Sequence, residues 1–393
     1  MNQGNLIRGL ILIAIAGFFV FRYFQIGSSV YYLYIAVFGG VGLLGLVGLI
    51  PSRWQNVMLN LGISLVFLDF VFAEINWSKF FEALKNANYW WLIPSTIMLL
   101  IHLWFRTLRW QWLLKPMGNV PFWPAFRALC IGITGNVVLP ARAGEFIRAY
   151  VLHRSTGLSG VGVFATLVVE RIFDGFTVLL VLLGVIMLGV RNEDLQKAGV
   201  VGTIFYGGAL VVLVVFILKR DWADFLIHKF LPKNLAEIAA NIFNKFIDGL
   251  AVLKNPHQLG MVLIYNILLW AAIPVSFWFA LQTFDFGSPV PWTTAVLMLP
   301  AMALALTIPG APGGVGLVQF AVKITLDSTF TGLLVANDFV EKVAAASILI
   351  HFSQFMPEVV LGVISFMYEG LNTSDIKAGQ QLAADEEPVA EST

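Results

Sequence analysis

The chain has 393 residues, of which 59% are hydrophobic and 12% are charged, and its formal net charge at pH 7 is +1. Soluble globular proteins carry about twice that charged fraction, so the composition excludes them and indicates an integral membrane protein. The near-neutral charge and dispersed basic residues give no sign of nucleic-acid binding, and the single cysteine excludes an internal disulfide framework and a thiolate metal site.

Eight apolar runs approach the length that crosses a bilayer, which is about 20 residues at a rise of 1.5 Å each. They lie at 6–24, 30–50, 57–73, 91–114, 161–190, 199–218, 259–282 and 340–368. The first run has no small-residue cleavage signature, so we expect it to be retained rather than removed as a signal peptide.

Two further apolar segments, 122–154 and 292–326, are interrupted by proline and glycine, so neither can form one continuous helix. We interpret each segment as a pair of helical arms that enter and leave the membrane on the same side. The backbone positions expected to form the breaks are Pro140, Gly144, Pro309, Gly310, Pro312, Gly313 and Gly314.

The two interrupted segments are in register with one another. Trp123 precedes Pro140 by the same interval that separates Trp292 from Pro309. A proline or glycine break in corresponding places of two halves is typical of a transporter binding site. The alternative is a chance coincidence of proline and glycine in a membrane protein.

Basic residues predict the orientation of the chain, because Lys and Arg concentrate in cytoplasmic loops. The basic connection 219–256 is placed inside by this rule, and so is the approach to the first broken segment, which contains Arg106, Arg109, Lys115 and Arg127. Both termini then lie inside, and the two repeats begin on opposite sides. Inverted repeats with discontinuous helices are usual in alternating-access carriers.

The predicted fold is therefore an all-α polytopic membrane protein, with about eight transmembrane helices and two re-entrant hairpins in inverted repeats. Its expected parts are a three-helix scaffold at 1–75, a first repeat at 76–190, a connecting helix with a cytoplasmic amphipathic segment at 191–258, a second repeat at 259–368 and a disordered acidic tail at 369–393.

Ionisable groups at membrane depth cost about 2.5–3.5 kcal/mol each to insert, which makes them candidates for function. Arg142, Glu145 and Arg148 recur every three residues in the first broken segment, and Asn136 precedes the break. This spacing lays a carboxylate between two guanidinium groups on one helix face. It favours either an ion network within the helix or a site where Arg142 and Arg148 hold a lipid phosphate.

A second charged group lies within the run 161–190. Glu170 and Asp174 are one helical turn apart and Arg171 neighbours both, so an excess of negative charge remains. That excess predicts a partner, which is Arg142, Arg148 or a proton. The group forms either a structural ion pair between helices or a set of carboxylates that couple movement to protons.

A third polar group lies in the last run, where His351, Gln354 and Glu358 occupy the place that Glu170 to Asp174 occupy in the first repeat. His351 and Glu358 are seven residues apart and share a helix face. Gln319 and Lys323 of the second broken segment are expected to face the same cavity. The alternatives are a hydrogen-bonded packing histidine and a glycine-rich break that serves only close helix packing.

The sequence contains no Gly-rich phosphate loop with Lys-Ser/Thr, no nucleophile elbow and no His-Glu-x-x-His motif. We therefore expect a protein that is not an enzyme and that uses no cofactor and no metal.

Four motifs occur in an order that resembles a known family. They are RTLRW at 106–110, LPARAGE at 139–145, ERIFD at 170–174 and IPGAPGGVG at 308–316. Together they resemble the lysylphosphatidylglycerol synthase transmembrane-region family, which includes the flippase half of bacterial multiple-peptide-resistance proteins. The resemblance covers about 91–368.

This resemblance implies a flippase that moves a phospholipid or polyprenyl-type lipid between leaflets of the inner membrane. The cavity residues that it implies are Arg142, Glu145, Arg148, Glu170, Arg171 and Asp174. Some family members aminoacylate the lipid through a separate soluble domain, an activity that we do not expect of the residues after Tyr368.

The expected partners are an anionic or phosphate-bearing membrane lipid and a lipid-modifying enzyme, with no nucleic acid. Two alternatives stay open at this point. One is a lipid-binding accessory subunit of a membrane enzyme that does not itself transport, and the other is a small-solute carrier.

Overall fold

The computed structural model describes residues 3–138, 143–187, 255–308, 310–333 and 338–372, together with Gly208, Lys229, Ala240 and Asp375 as single positions. All regular structure in these ranges is helical. The predicted connecting helix at 199–218, nearly all of the basic connection 219–256 and most of the acidic tail lie outside the described residues.

Twelve α-helices follow one another along the described ranges. They are α1 (Gln3–Ile26), α2 (Val30–Leu46), α3 (Ser52–Phe72), α4 (Trp77–Lys85), α5 (Leu92–Leu114), α6 (Phe122–Val138), α7 (Gly144–Thr156), α8 (Gly160–Met187), α9 (Pro256–Leu281), α10 (Trp292–Ala305), α11 (Leu317–Thr329) and α12 (Phe339–Tyr368). A 3₁₀ turn, Pro312–Gly314, precedes α11.

Five helices are long and apolar enough to cross a membrane. They are Gly4–Ile26, Ser52–Phe72, Tyr89–Leu114, Pro256–Leu281 and Phe339–Tyr368. The all-α prediction is confirmed for the described residues, and the chain is a multi-pass membrane protein. The count of eight transmembrane helices stays a prediction.

Three predicted membrane runs are not among these five. One of them, 199–218, lies outside the described residues apart from Gly208, and the other two differ from the prediction for separate reasons. α2 has only 17 residues, because Gly48 takes a positive φ of 77° and the backbone N–H of Leu49 closes on the carbonyl of Leu44 at 2.9 Å. This is the closure that ends many helices at glycine. α8 has 28 residues but carries Glu170, Arg171 and Asp174 in its apolar sequence.

The helix lengths in the two halves follow the same order. α5 to α8 have 23, 17, 13 and 28 residues, and α9 to α12 have 26, 14, 13 and 30. Each predicted break falls between two short helices. The assignment of these short pairs as re-entrant and inverted stays a prediction.

One compact unit comprises Met1–Trp91, Ala280–Thr294 and Ala301–Phe352. Within it α1, α2 and α3 pack together around Phe19 and Phe38, which are buried. Asp69 on α3 links the three helices, because its carboxylate accepts hydrogen bonds from Arg22 on α1 and Tyr31 on α2, both at 2.5 Å. Phe320 on α11 packs against α3, so the predicted scaffold contacts the second broken segment.

The second compact unit comprises Leu92–Phe279, Ala295–Pro300 and Ser353–Thr393. Its buried core includes Trp110 and Leu113 from α5, Ile147 and Leu152 from α7, and Leu167 from α8. These residues place α5, α7 and α8 around a common centre, next to which the charged residues of the same helices lie.

Candidate functional site

The candidate site is a group of charged side chains in the second unit, contributed by α5, α7 and α8. We call Arg106, Arg109, Arg148, Glu170 and Asp174 the buried cluster, and Glu145 with Arg171 the edge pair. The close approach of α6 and α7 allows α7 to reach the cluster. A Cβ on Gly132 would lie 2.7 Å from Cβ of Arg148, and one on Gly135 would lie 2.9 Å from Cα of Gly144.

Glu170 is the centre of the buried cluster and is 1% exposed. Arg148 donates from both terminal nitrogens to its two oxygens at 3.1 Å, the fork geometry that makes arginine–carboxylate pairs strong. Arg106 donates to Oε1 through Nε at 3.1 Å, and Nη2 of Arg109 lies 3.4 Å from the same oxygen. One carboxylate therefore joins α8 to α5 and α7.

Asp174 extends the cluster towards α9. It accepts hydrogen bonds from Arg109 at 2.7 Å and from the indole N–H of Trp270 at 3.1 Å. Arg109 also donates to Asn266 at 2.5 Å, and Asn266 donates to Thr177 at 2.8 Å. Four helices are thus joined by one polar network.

Arg148 also stacks on an aromatic ring, because its guanidinium carbon lies 3.7 Å from the centroid of Trp110. Such contacts are worth about 0.5–2 kcal/mol, more when desolvated. Trp110 is fixed in turn by donation to Thr166 at 3.0 Å. Nε of Arg148 and both Nε and Nη2 of Arg109 are buried without a hydrogen-bond partner among the described residues.

The edge pair lies where the cluster reaches the surface. Arg171 is 47% exposed and donates to Glu145. Glu145 also accepts from Asn136 at 3.1 Å and lies 3.9 Å from Arg148. Arg171 therefore turns away from its chain neighbours Glu170 and Asp174 towards α7, whereas the sequence predicted that it would neutralise those neighbours in part.

The four arginines of the cluster and edge pair form ion pairs with three carboxylates, those of Glu145, Glu170 and Asp174. A fourth carboxyl group, that of Glu358 on α12, interacts electrostatically with Arg106. Three predicted positions lie outside the described residues: Arg142, Pro140 and Pro309.

Several predicted site residues lie in the first unit and make local contacts there. His351 binds the carbonyl of Gly313 at 3.0 Å and the amide nitrogen of Gln319 at 2.8 Å, and Gln319 accepts from the backbone N–H of Gly316 at 2.7 Å. Lys323 pairs with Asp327 at 2.5 Å on the same helix. These contacts fix the glycine-rich break.

The same break packs against α3. The backbone N–H of Ala311 donates to the Ser64 hydroxyl at 2.7 Å, and a Cβ on Gly310 would lie 3.2 Å from that oxygen. Gly313 and Gly314 have φ of 72° and 71°, a region that side chains rarely adopt. Pro312 follows Ala311 and is the first residue of the 3₁₀ turn that contains both glycines.

Gln354 lies in the second unit and is a packing residue there. Its amide donates to Ser276 at 3.0 Å and to Ser95 at 3.3 Å, and all three side chains are buried. This triad joins α12 to α9 and α5 without contact to the buried cluster. Within the described ranges no group of three or more His, Cys, Asp or Glu residues is arranged to hold a metal ion.

Sequence reasoning missed Arg106 and Arg109 as members of the site. We used both as markers of the cytoplasmic side, but Arg109 is fully buried. Their spacing of three residues inside an apolar run was a usable signal, because intramembrane arginines need partners. The contributions of Asn266 and Trp270 had no such signal in the sequence.

Comparison with known proteins gives the chain a family. Residues 57–362 match the model of the lysylphosphatidylglycerol synthase TM region. The chain is 25% identical to the glycosyltransferase AglD of Haloferax volcanii over 84% of its own length and 57% of that protein's length.

Two archaeal membrane proteins are also similar. A UPF0104 membrane protein of Methanothermobacter thermautotrophicus is 21% identical over 75% of this chain and 90% of the relative. A UPF0104 membrane protein of Methanocaldococcus jannaschii is 29% identical over 28% of this chain and 34% of the relative. No solved structure matches the chain. Because the family model covers most of its length, including every described residue of the buried cluster, the chain belongs to the lysylphosphatidylglycerol synthase TM region family.

Proposed function

We propose that the protein moves an anionic lipid between the two leaflets of the membrane and binds the lipid phosphate at the edge pair. The observation that carries this proposal is a buried ion cluster that joins four helices and ends at an arginine that is 47% exposed. Charges at membrane depth are costly and mark sites of function. An exposed guanidinium beside them is a suitable phosphate ligand.

The phosphate contact proposed here is Arg171 rather than Arg148. Both terminal nitrogens of Arg148 already bind Glu170, so a phosphate at Arg148 would leave a buried carboxylate without its main partner, at a cost of about 3–5 kcal/mol. Arg148 is therefore a positioning residue. Arg142 remains a candidate second ligand on the strength of the sequence alone.

Exchange at the edge pair costs less by comparison. Arg171 is 47% exposed and Glu145 is 18% exposed, so their contact is less desolvated than that of Arg148 with Glu170, which are 2% and 1% exposed, and a phosphate replaces Glu145 on Arg171 at a lower cost. The released carboxylate keeps the hydrogen bond from Asn136 at 3.1 Å and a guanidinium of Arg148 at 3.9 Å. Glu145 thus pairs with Arg171 when no lipid is bound, and the lipid phosphate replaces it.

The short helices support a re-entrant arrangement. α6, α7, α10 and α11 have 17, 13, 14 and 13 residues, which at 1.5 Å per residue is about 20–26 Å. A hydrocarbon core is about 30 Å thick, so each of these helices is too short to cross it alone. We propose two re-entrant hairpins in inverted repeats, eight transmembrane helices, both termini in the cytoplasm and residence in the inner membrane.

Reconstitution in liposomes tests this function. The purified protein is incorporated into phosphatidylcholine vesicles with a trace of fluorescent phosphatidylglycerol, and leaflet exchange is followed by chemical quenching of the outer leaflet. We expect exchange above that of empty vesicles, and at least a tenfold slower rate for Arg171→Gln. Absence of exchange across several anionic lipids would contradict the proposal.

The chain offers a matched control for this substitution. Arg154 on α7 is 46% exposed and pairs with the carboxylate of Asp375. Arg154→Gln therefore removes an equally exposed arginine away from the edge pair, and we expect its exchange rate to stay within twofold of wild type. Equal losses in the two variants would mean that Arg171 has no particular role.

A second candidate function is a lipid-binding accessory role beside a lipid-modifying enzyme. The observation that favours it is that a relative with matching sequence over 57% of its length is named a glycosyltransferase. Measuring lipid binding and leaflet exchange separately distinguishes the two functions. Binding that depends on Arg171 without any exchange supports the accessory role.

A further inference from the structure

We infer that the lipid bound at the edge pair places a segment of one hydrocarbon chain in an apolar cavity beside it, an inference that rests on the proposed function. The cavity has a volume of about 160 Å³ and lies within the second unit, between α6, α7 and the end of α12. Apart from two glycines, its lining consists of Ile131, Thr134, Val138, Ile147, Val363 and Phe366.

The walls of the cavity offer almost nothing to a polar ligand. The hydroxyl of Thr134 already donates to the backbone carbonyl of Glu358 at 3.3 Å. α6 and α12 touch beside the cavity, because a Cβ on Gly362 would lie 2.6 Å from the carbonyl oxygen of Cys130. The lining residues Val138 and Val363 are exposed at 62% and 47%. The cavity is thus bounded by a helix contact and has an exposed apolar rim.

The chemistry of the walls identifies the occupant. An aliphatic cavity of about 150 Å³ stays free of water and binds benzene or xenon. In a bilayer the apolar molecules available to such a rim are lipid chains. The similar volume here accommodates about six carbon atoms, on the same comparison. The cavity therefore fits a segment of one chain and not a whole lipid.

The position of the cavity links the hydrocarbon chain bound there to a phosphate on Arg171. Its lining residue Gly135 directly precedes Asn136, and Ile147 lies between Glu145 and Arg148 on α7. The cavity and the edge pair therefore share α7, and α6 reaches both, because Asn136 donates to Glu145 at 3.1 Å. An anionic headgroup on Arg171 and a chain in the cavity are the two ends of one amphipathic ligand.

Photochemical labelling tests the inference. The protein is placed in phosphatidylcholine nanodiscs with phosphatidylglycerol probes that carry a diazirine at one of three depths along an acyl chain, and labelled peptides are mapped by mass spectrometry. We expect label on Ile131 to Val138 and on Gly362 to Phe366. Val363→Phe, which fills the cavity from its rim, should lower that label at least fivefold.

Val360 provides the matched control, because it lies on the same helix, is exposed to 48% and does not line the cavity. Val360→Phe should leave the label within twofold of wild type. If Val363→Phe does not give folded protein, Val138→Phe fills the cavity from the opposite wall. Equal labelling in the filling and control variants would overturn the inference.

Two further arms separate this inference from the proposed function. A diacylglycerol probe with the same diazirine lacks the phosphate, and equal labelling by it would overturn the link between the cavity and the edge pair. Leaflet exchange is measured on the same variants. Cavity labelling without any exchange supports the chain site and refutes transport, whereas exchange without cavity labelling supports transport and refutes the chain site.

Discussion

Replacing Glu170 with Gln removes the carboxylate that contacts three arginines, of which Arg109 and Arg148 are buried and Arg106 is 15% exposed. Glu170 lies 3.0 Å from Arg106, 3.4 Å from Arg109 and 3.1 Å from Arg148. The amide oxygen of Gln still accepts hydrogen bonds, but it leaves the three guanidinium groups with less than their compensating charge. We expect the second unit to be strongly destabilised although the side chain keeps its shape.

The expected magnitude follows from the burial of these partners. Removing one partner of a buried ion pair costs about 3–5 kcal/mol, and Glu170→Gln affects three pairs at once, which places it in the upper part of that range. One kcal/mol shifts the midpoint of thermal unfolding by about 2–4 °C in a domain of 150–250 residues. The apparent melting temperature should therefore fall by about 8–20 °C.

Thermal unfolding of the purified protein in detergent measures this shift, with all variants scanned at one rate because membrane proteins unfold irreversibly. Glu369→Gln is the matched control, since Glu369 pairs with a single arginine, Arg127, at 2.5 Å and both side chains are partly exposed. That pair contributes about 1 kcal/mol or less. A Glu170→Gln shift no larger than that of Glu369→Gln would refute the reasoning.

Three other predictions follow from contacts outside the cluster. His351→Ala removes the bond to the Gly313 carbonyl, so amide hydrogen exchange in the glycine-rich break should quicken while α1 is unchanged. Gly362→Ala should cost about 1–3 kcal/mol through overpacking against α6, whereas Gly184→Ala, where a Cβ meets nothing within 4 Å, should be neutral or stabilising in the same melting assay. The backbone N–H of Asn372, followed by Tyr150 and Arg154, lowers the pKa of Asp375 below its usual 3.8. The contact of Asp375 with α7 should therefore persist at neutral pH and be lost only as pH falls through that lowered value. Limited proteolysis of the tail at graded pH measures this loss. Loss of the contact already at pH 6 would contradict the prediction.

The second unit shows why the site was only partly predictable. Glu145, Arg148 and Glu170 stood out as charges in an apolar sequence, and their cost in a membrane required partners. The identity of those partners depended on which helices lie side by side. Arg171 follows Glu170 directly in the chain, yet it binds Glu145 on α7, because neighbouring residues on a helix point about 100° apart.

Composition and hydropathy by themselves determined that this is a membrane protein whose described residues form helices, with two segments broken by proline and glycine, because twenty apolar residues in a row have no stable alternative in lipid. The pairing of charges was decided only by the tertiary structure. Arg148 binds Glu170 because α7 lies against α8, and Arg171 is 47% exposed because α8 turns it towards the surface. Such contacts join residues distant in the chain, and no local pattern specifies them.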